Sequence, residues 1–361
     1  MFALPAPPGP AEGPAVAARP DLSNRRFLPD FFRLLVLACL LLAAACGAPA
    51  TAPLDTRSRP LEIRTQKEPF KLDDPSARQV GRLIWRGGLS LHANSAHFGG
   101  WSDLHVTPDG SRLASVSDVG DWLIASIDYD QHGNLSGISN ARIGPLHGPD
   151  GKPLVGKEWS DAEGMARMPD GSWMVSFEGH HRIWHYTTLD GVPVAVDAPE
   201  DFRRQPRNGG VETLTALRDG RLIAISEEYS LRSGFNVGWI GVPAGEGRYA
   251  WSRFEYATIP DFHPTAIAQV PDGSLVLLER AFDLIRGVRV RIMHFDASTL
   301  RPGGTVHAEE LAFLASPYVV DNLEGISAAT GRHGEILLWM ISDDNFNPLQ
   351  RNLLLMFELV K

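Results

Sequence analysis

Three glutamates stand at the same place in a repeated segment of this 361-residue chain: Glu163, Glu212 and Glu324. Each opens a short apolar run, which leads through a turn into a second apolar run ending in an acid. Two further copies carry Ser102 and Thr265 at that place. The second runs end at Asp118, at Glu178, at Glu227 with Glu228, at Glu279, and at Asp343 with Asp344. Copies arranged about one axis bring these carboxylates to a common opening. Uncompensated, they repel and raise one another's pKa values. A hard cation such as Ca²⁺, which accepts about six to eight oxygens, relieves that repulsion. The expected site therefore has Glu163, Glu212 and Glu324 as metal ligands. Glu178 or Asp343 is a base or further ligand, and Arg280 holds an anionic substrate group if it points inward. Arg182, Arg280, His180, His181 and His263 lie close in sequence and offer basic pairing as the alternative. Solvated acids at strand ends are the plainest reading of any one of them.

Five copies position these groups: Ser102–Asp118, Glu163–Glu178, Glu212–Glu227, Thr265–Glu279 and Glu324–Asp343. Their turns carry Gly110, Gly171, Gly220, Gly273 and Gly334, four of them preceded by Asp. Asp-Gly supplies the positive φ of a tight hairpin. Pro108, Pro169 and Pro271 end the first run. Segments such as Arg112–Val116 and Leu275–Leu278 are short and apolar, as strands buried on both faces are. Further strand-like sequence follows each copy, as at Trp122–Tyr129, Ile183–Thr188 and Val290–Phe295. The turns recur every 49 to 62 residues, which is room for a four-stranded sheet with loops. Repeated four-stranded units predict an all-β propeller. Five blades are visible, with six possible if residues 60–100 hide another. The last copy has three strands, at 324–329, 335–341 and 353–359, so Gln79–Leu91 is expected to complete it and close the ring. Trp101, Trp159 and Trp339 read as core or channel lining.

The N-terminal stretch is of another kind. Arg25, Arg26 and Arg33 precede an unbroken apolar run from Leu34 to Ala45. Such a run is too short to span a bilayer comfortably and has the layout of a secretory signal. Ala43-Ala44-Ala45-Cys46 resembles a lipobox, so Cys46 is the expected lipidated first residue of an exported, envelope-anchored lipoprotein. Soluble periplasmic or secreted protein is the alternative. Residues 1–46 are thus the export segment, 47–60 a Pro/Ala/Thr-rich tether, and 61–361 the propeller. The only cysteines, Cys39 and Cys46, fall in the first segment. A disulfide framework, a thiolate metal site and a cysteine nucleophile are excluded after it. Beyond residue 46 the chain holds 30 basic and 40 acidic residues. That balance argues against a nucleic-acid partner and leaves the lipid at Cys46 as the only membrane contact expected.

Several short motifs, taken in order, resemble the bacterial phytase-like domain family, whose members carry the label esterase-like activity of phytase. They are Trp101-Ser102-Asp103-Leu104 with Pro108-Asp109-Gly110, Asp161-Ala162-Glu163-Gly164-Met165, and Phe262-His263-Pro264-Thr265 with Leu278-Glu279-Arg280. The last is Ser342-Asp343-Asp344-Asn345-Phe346 through Gln350-Arg351. The resemblance covers residues 80–359 and implies a propeller, an exported location and, loosely, hydrolysis. The Asp-Ala-x-Asp-Asp-Pro calcium and phosphate motif of β-propeller phytases has no counterpart here. Nor is there a dense Lys/Arg cluster for a highly phosphorylated substrate, so phytate itself is not the expected substrate. No Gly-x-Ser-x-Gly elbow occurs. The expected chemistry is metal-dependent hydrolysis of a small or anionic ester or phosphate ester at the acidic mouth. A non-catalytic binding or scaffold propeller of the envelope is the alternative, because fold does not decide function.

Overall fold

The repeating Asp-Gly turns form as their chemistry dictates. In the computed structural model, which describes residues 58–245 and 247–360, the five turn glycines have φ between 72° and 97°. The preceding Asp109, Asp170, Asp219 and Asp272 each accept a hydrogen bond from the backbone N–H two residues on, at 2.9–3.1 Å. Each turn joins two antiparallel strands, and each pair grows into a sheet.

Five such sheets are present among the described residues. Blade 1 comprises Trp101–Val106, Arg112–Ser117, Asp121–Tyr129 and Leu135–Pro145, with Arg59–Pro60 paired on its outer edge. Blade 2 comprises Ala162–Arg167, Trp173–Phe177, Arg182–Tyr186 and Val194–Val196. Blade 3 comprises Thr213–Ala216, Leu222–Ile225, Phe235–Pro243 and Tyr249–Ala257, with Thr305–Val306 added in parallel. Blade 4 comprises His263–Gln269, Leu275–Asp283, Gly287–Phe295 and Glu309–Ala315. Blade 5 joins Asn322–Thr330, Ile336–Asp343 and Leu353–Leu359 to Leu83–His92 and Arg64–Lys67. The N-terminal strand thus completes the last blade, in register from Leu353↔Ser90 to Leu359↔Leu83. Residues 60–100 are used up in closing blade 5 and edging blade 1. The propeller has five blades, not six.

The first strand of each blade neighbours the first strands of the two adjacent blades, so five first strands line a central channel. Burial follows from this wedge geometry. Five hydrophobic clusters lie one between each pair of adjacent blades. Second strands are therefore sandwiched, and Leu222–Ile225 and Leu275–Leu278 are wholly buried on both faces. Trp101 and Trp339 sit in the cluster between blades 5 and 1. Trp159 departs from its expected place: it is half exposed, on the short helix Lys157–Ser160 before blade 2. Its ring packs 4.2 Å from that of His180. The expected export segment, Cys46 and most of the tether lie outside the described residues.

Candidate functional site

First strands run from one face of the ring down to the Asp-Gly turns, and second strands run back. In four blades the pairing slips by one residue close to the start of the first strand. The extra residues are Ser102, Glu163, Thr265 and Glu324, the repeated position of the sequence. In blade 3 the equivalent Glu212 immediately precedes its strand. A bulge leaves its residue out of the ladder and re-aims the side chain. This turns a position that would alternate in a regular strand into a ring of side chains at the mouth.

The backbone at these bulges is tightly packed. A Cβ on Gly164, after Glu163, would lie 2.5 Å from the Glu212 carbonyl oxygen. On Gly325, after Glu324, it would lie 2.7 Å from the Leu104 nitrogen. Glycine is what lets neighbouring first strands approach. Gly164→Ala or Gly325→Ala should therefore cost about 1–3 kcal/mol through overpacking. Melting temperatures within a degree of wild type would show that the strands can part without cost.

The second ring comes from the returning strands. Backbone pairing places Asp118 beside Gly100, Glu178 beside Asp161, Glu227 beside Gly210, Arg280 beside His263 and Asp343 beside Asn322. Blade 4 thus contributes Arg280, not Glu279, to this ring. The one-residue difference sends Glu279 to the other side of the strand. There it is fully buried, accepting from Tyr256 Oη at 2.8 Å and Arg291 Nη1 at 2.6 Å. The spacing held the signal: Glu163 to Glu178, Glu212 to Glu227 and Thr265 to Arg280 are all 15 residues apart.

Two carboxylate triads result. One ligand oxygen from each of Asp161, Glu163 and Glu178 lies within 4.8 Å of the other two. The same holds for Glu178, Glu212 and Glu227, so Glu178 belongs to both. Glu163, Glu178 and Glu212 are 5–8% exposed, enough to touch solvent at the mouth. Glu178 also accepts from the Gly210 N–H, and one oxygen of Glu212 is buried with no hydrogen-bond partner. Glu324 stands apart from both triads. It accepts from Asn322 Nδ2 at 2.7 Å and lies 3.3 Å from Arg280 Nη2. Asp343 accepts from Asn345 N–H at 2.6 Å.

Counter-charge is sparse. Arg280 lies 3.6 Å from Glu227 as well as against Glu324, and Lys157 bridges Asp118 at 3.2 Å and Asp161 at 3.0 Å. The other basic neighbours serve elsewhere. His180 pairs with Glu158, His181 contacts the Pro206 carbonyl, and Arg182 stacks on Phe177 and Trp184. His263 borders the mouth at the Glu227 carbonyl, 3.4 Å away. Burial, with neighbouring acids behind it, pushes Glu178 up to about 8 and Asp118 up to about 6. Glu163, Glu212 and Asp343 are raised well above the usual carboxylate range for the same two reasons. Burial would lower Arg280, but Glu324, Glu212 and Glu227 outweigh it and hold the guanidinium charged.

Asp161 and Lys157 are the members that the repeat did not expose. Lys157 lies in an inter-blade loop, beyond the repeat. Asp161 sits two residues before the repeated position, where the other blades carry Gly100, Gly210, His263 and Asn322. Polarity at that offset, in three copies of five, is the signal that could have found it.

The donor set is all oxygen, without thiol or imidazole in either triad, and suits a hard cation such as Ca²⁺, Mg²⁺ or Mn²⁺. The acidic clusters could bind a metal.

Among solved structures, the α-L-arabinofuranosidase PaAbf62A of Podospora anserina is similar over 77% of this chain and 96% of its own, at 12% identity and a TM-score of 0.49. The virginiamycin B lyase of Staphylococcus aureus is similar over 79% of this chain and 84% of its own, at 12% identity and a TM-score of 0.36. The WD40 repeats of RRP9 are similar over 78% and 99%, at 9% identity and a TM-score of 0.36. No curated protein sequence matches the chain. The model of the phytase-like family, described as esterase-like activity of phytase, matches residues 96–346. That span takes in both rings of the mouth, and the chain belongs to the phytase-like family.

Proposed function

We propose that this propeller is an exported hydrolase that holds a divalent cation, Ca²⁺, at its acidic mouth and cleaves an ester or phosphate ester there. The observation that carries the reading is the imbalance of buried charge. Among the described residues, Asp118, Asp161, Glu163, Glu178, Glu212, Glu227, Glu324 and Asp343 face only Lys157 and Arg280 as close ion-pair partners. Charges in such a place must be protonated or neutralised. When bound, the cation supplies Lewis acidity, polarising a substrate oxygen and acidifying a water. Asp161, Glu163, Glu178, Glu212 and Glu227 would hold it, and Glu324 orients Arg280 at the rim.

Glu178, common to both triads, is the group best placed to take a proton from an attacking water. Asp343 is the second candidate acceptor. Arg280 would meet an anionic substrate group by exchanging one of its two carboxylate partners. Export and anchoring through Cys46 are part of the same reading, placing the mouth in an oxidising, calcium-accessible compartment.

The test is hydrolysis of p-nitrophenyl acetate, p-nitrophenyl phosphate and a simple lactone, with Ca²⁺ and with EDTA. At least one should be turned over only with the cation. Glu178→Gln should then lower turnover by at least about 10²-fold, the low end of a general base's contribution, with weakened cation binding adding to the loss. Turnover that persists in EDTA, or survives in Glu178→Gln, sinks the mechanism. Calcium binding without turnover of any ester favours the non-catalytic binding propeller.

A further inference from the structure

At the opposite end of the ring one cavity is lined by cations. On the face that carries the Asp-Gly turns, a cavity of about 820 Å³ opens between blades 1 and 2 and reaches blade 3. Arg112, Arg142, Arg167 and Arg218 line it, with Trp122 and Trp173 among its walls. Asp190 is the single carboxylate in that lining. The cavity shares Arg167 and Arg218 with the narrower channel between the five first strands. Glu163 and Arg167 lie on one strand, roughly 13 Å apart at about 3.3 Å per residue. The acidic mouth and this cavity are therefore separate places.

Two of the arginines have settled partners. Arg142 Nη2 donates to Ser58 O at 3.0 Å and Ser58 Oγ at 2.8 Å. Arg218 Nη2 donates to Val270 O at 3.3 Å. The other two do not. The Arg167 guanidinium lies 4.4 Å over the Trp173 ring, and among the described residues neither it nor that of Arg112 has a hydrogen-bond or ion-pair partner. Asp170, whose charge reaches Arg167, accepts instead from Ser172. Stacking on Trp173 fixes the plane of the Arg167 fork and leaves its N–H groups for another acceptor.

We infer that this cavity is a second binding site, for an amphipathic anion: a carboxylate, sulfonate or phosphate head on a flat apolar body. The guanidinium forks of Arg112 and Arg167 take the head. The more exposed apolar lining, Pro108, Ile124 and Pro169, takes the body, where burial of apolar surface contributes about 25 cal/mol per Å².

Calorimetric titration of the full-length protein tests this with 2-naphthoate and its neutral counterpart 2-naphthalenemethanol. The naphthoate should bind at least tenfold more tightly than the alcohol. Its affinity should fall as salt rises from about 0.05 to about 0.5 M. The Arg112→Gln/Arg167→Gln double variant should raise its Kd at least tenfold while melting within about 5 °C of wild type, since the fold loses only the stacking of Arg167 on Trp173. EDTA should change nothing. Equal affinity for the two probes, an unchanged Kd in the double variant, or binding that needs the divalent cation would each overturn the assignment. Should the double variant fail to fold, the salt titration of the wild type decides the question: an affinity indifferent to salt overturns the assignment as well.

Discussion

Calcium should raise the melting temperature of the wild-type protein, and Glu178→Gln should remove most of that response. A ligand that binds only the folded state stabilises it by RT ln(1 + [L]/Kd), about 2.7 kcal/mol at a hundredfold excess over Kd. For a domain of this size that is a rise of roughly 5 °C, at about 2 °C per kcal/mol. Glu178 belongs to both triads, so one substitution damages both, whereas Glu324→Gln should leave the response largely intact. Metal-free protein should show a complementary pH dependence. Glu178 is held at about 8 in the fold, by burial first and then by neighbouring acids. The unfolded chain releases that proton near its ordinary value of 4.5. The folded state thus binds more protons between those values. The stability linked to Glu178 is complete below about 4.5 and is lost as pH rises through about 8. Asp118, held at about 6, adds to the same slope at its lower end. Thermal scans in EDTA should therefore show the protein weakening from pH 5 toward 8, less steeply in Glu178→Gln. A wild type indifferent to calcium, with a flat profile, would mean that the mouth is neutralised by its own arginine, lysine and protons.

How much of this was legible in the sequence depends on whether the repeat itself carried the information. The Asp-Gly turns fix hairpins by local backbone chemistry, so five blades and ring closure could be read from residues alone, while a sixth blade stayed open until residues 60–100 were placed. The observed closing strand, Leu83–His92, falls inside or within a residue of the expected Gln79–Leu91. The repeated glutamates were visible for the same reason. The bulges were not, because a ladder that skips Glu163 or Glu324 has the same spacing as one that does not. Glu279 shows the consequence. It is the last acid of its run, yet Tyr256 and Arg291 claim it between blades while Arg280 takes the ring position. Nor could spacing divide the acids into two triads around Glu178 with Glu324 outside both. That division depends on how the bulges aim each side chain at the mouth.

Deleting residues 353–361 should unfold the whole propeller, not blade 5 alone. Leu353, Leu354, Leu355, Met356 and Phe357 are all fully buried. Each contributes roughly 1.5–3 kcal/mol by burial, together about 7–15 kcal/mol, which matches or exceeds the usual net stability of about 5–15 kcal/mol for a domain. The topology spreads the loss. The strand sits between Ile336–Asp343 and Leu83–His92, so removing it frees the N-terminal strand and leaves both neighbours with unpaired edges. Its side chains also divide between two inter-blade clusters: Leu354 and Met356 face blade 1, while Leu353, Leu355 and Phe357 face blade 4. Two of the five blade interfaces fail at once, and a ring opened there no longer holds the remaining first strands against one another. The point substitution Phe357→Ala should cost about 3–5 kcal/mol and still give one cooperative transition, at a lower temperature. The truncated chain should show no native circular dichroism and no cooperative melt. A truncation that keeps both would mean that blades 1 to 4 stand without closure.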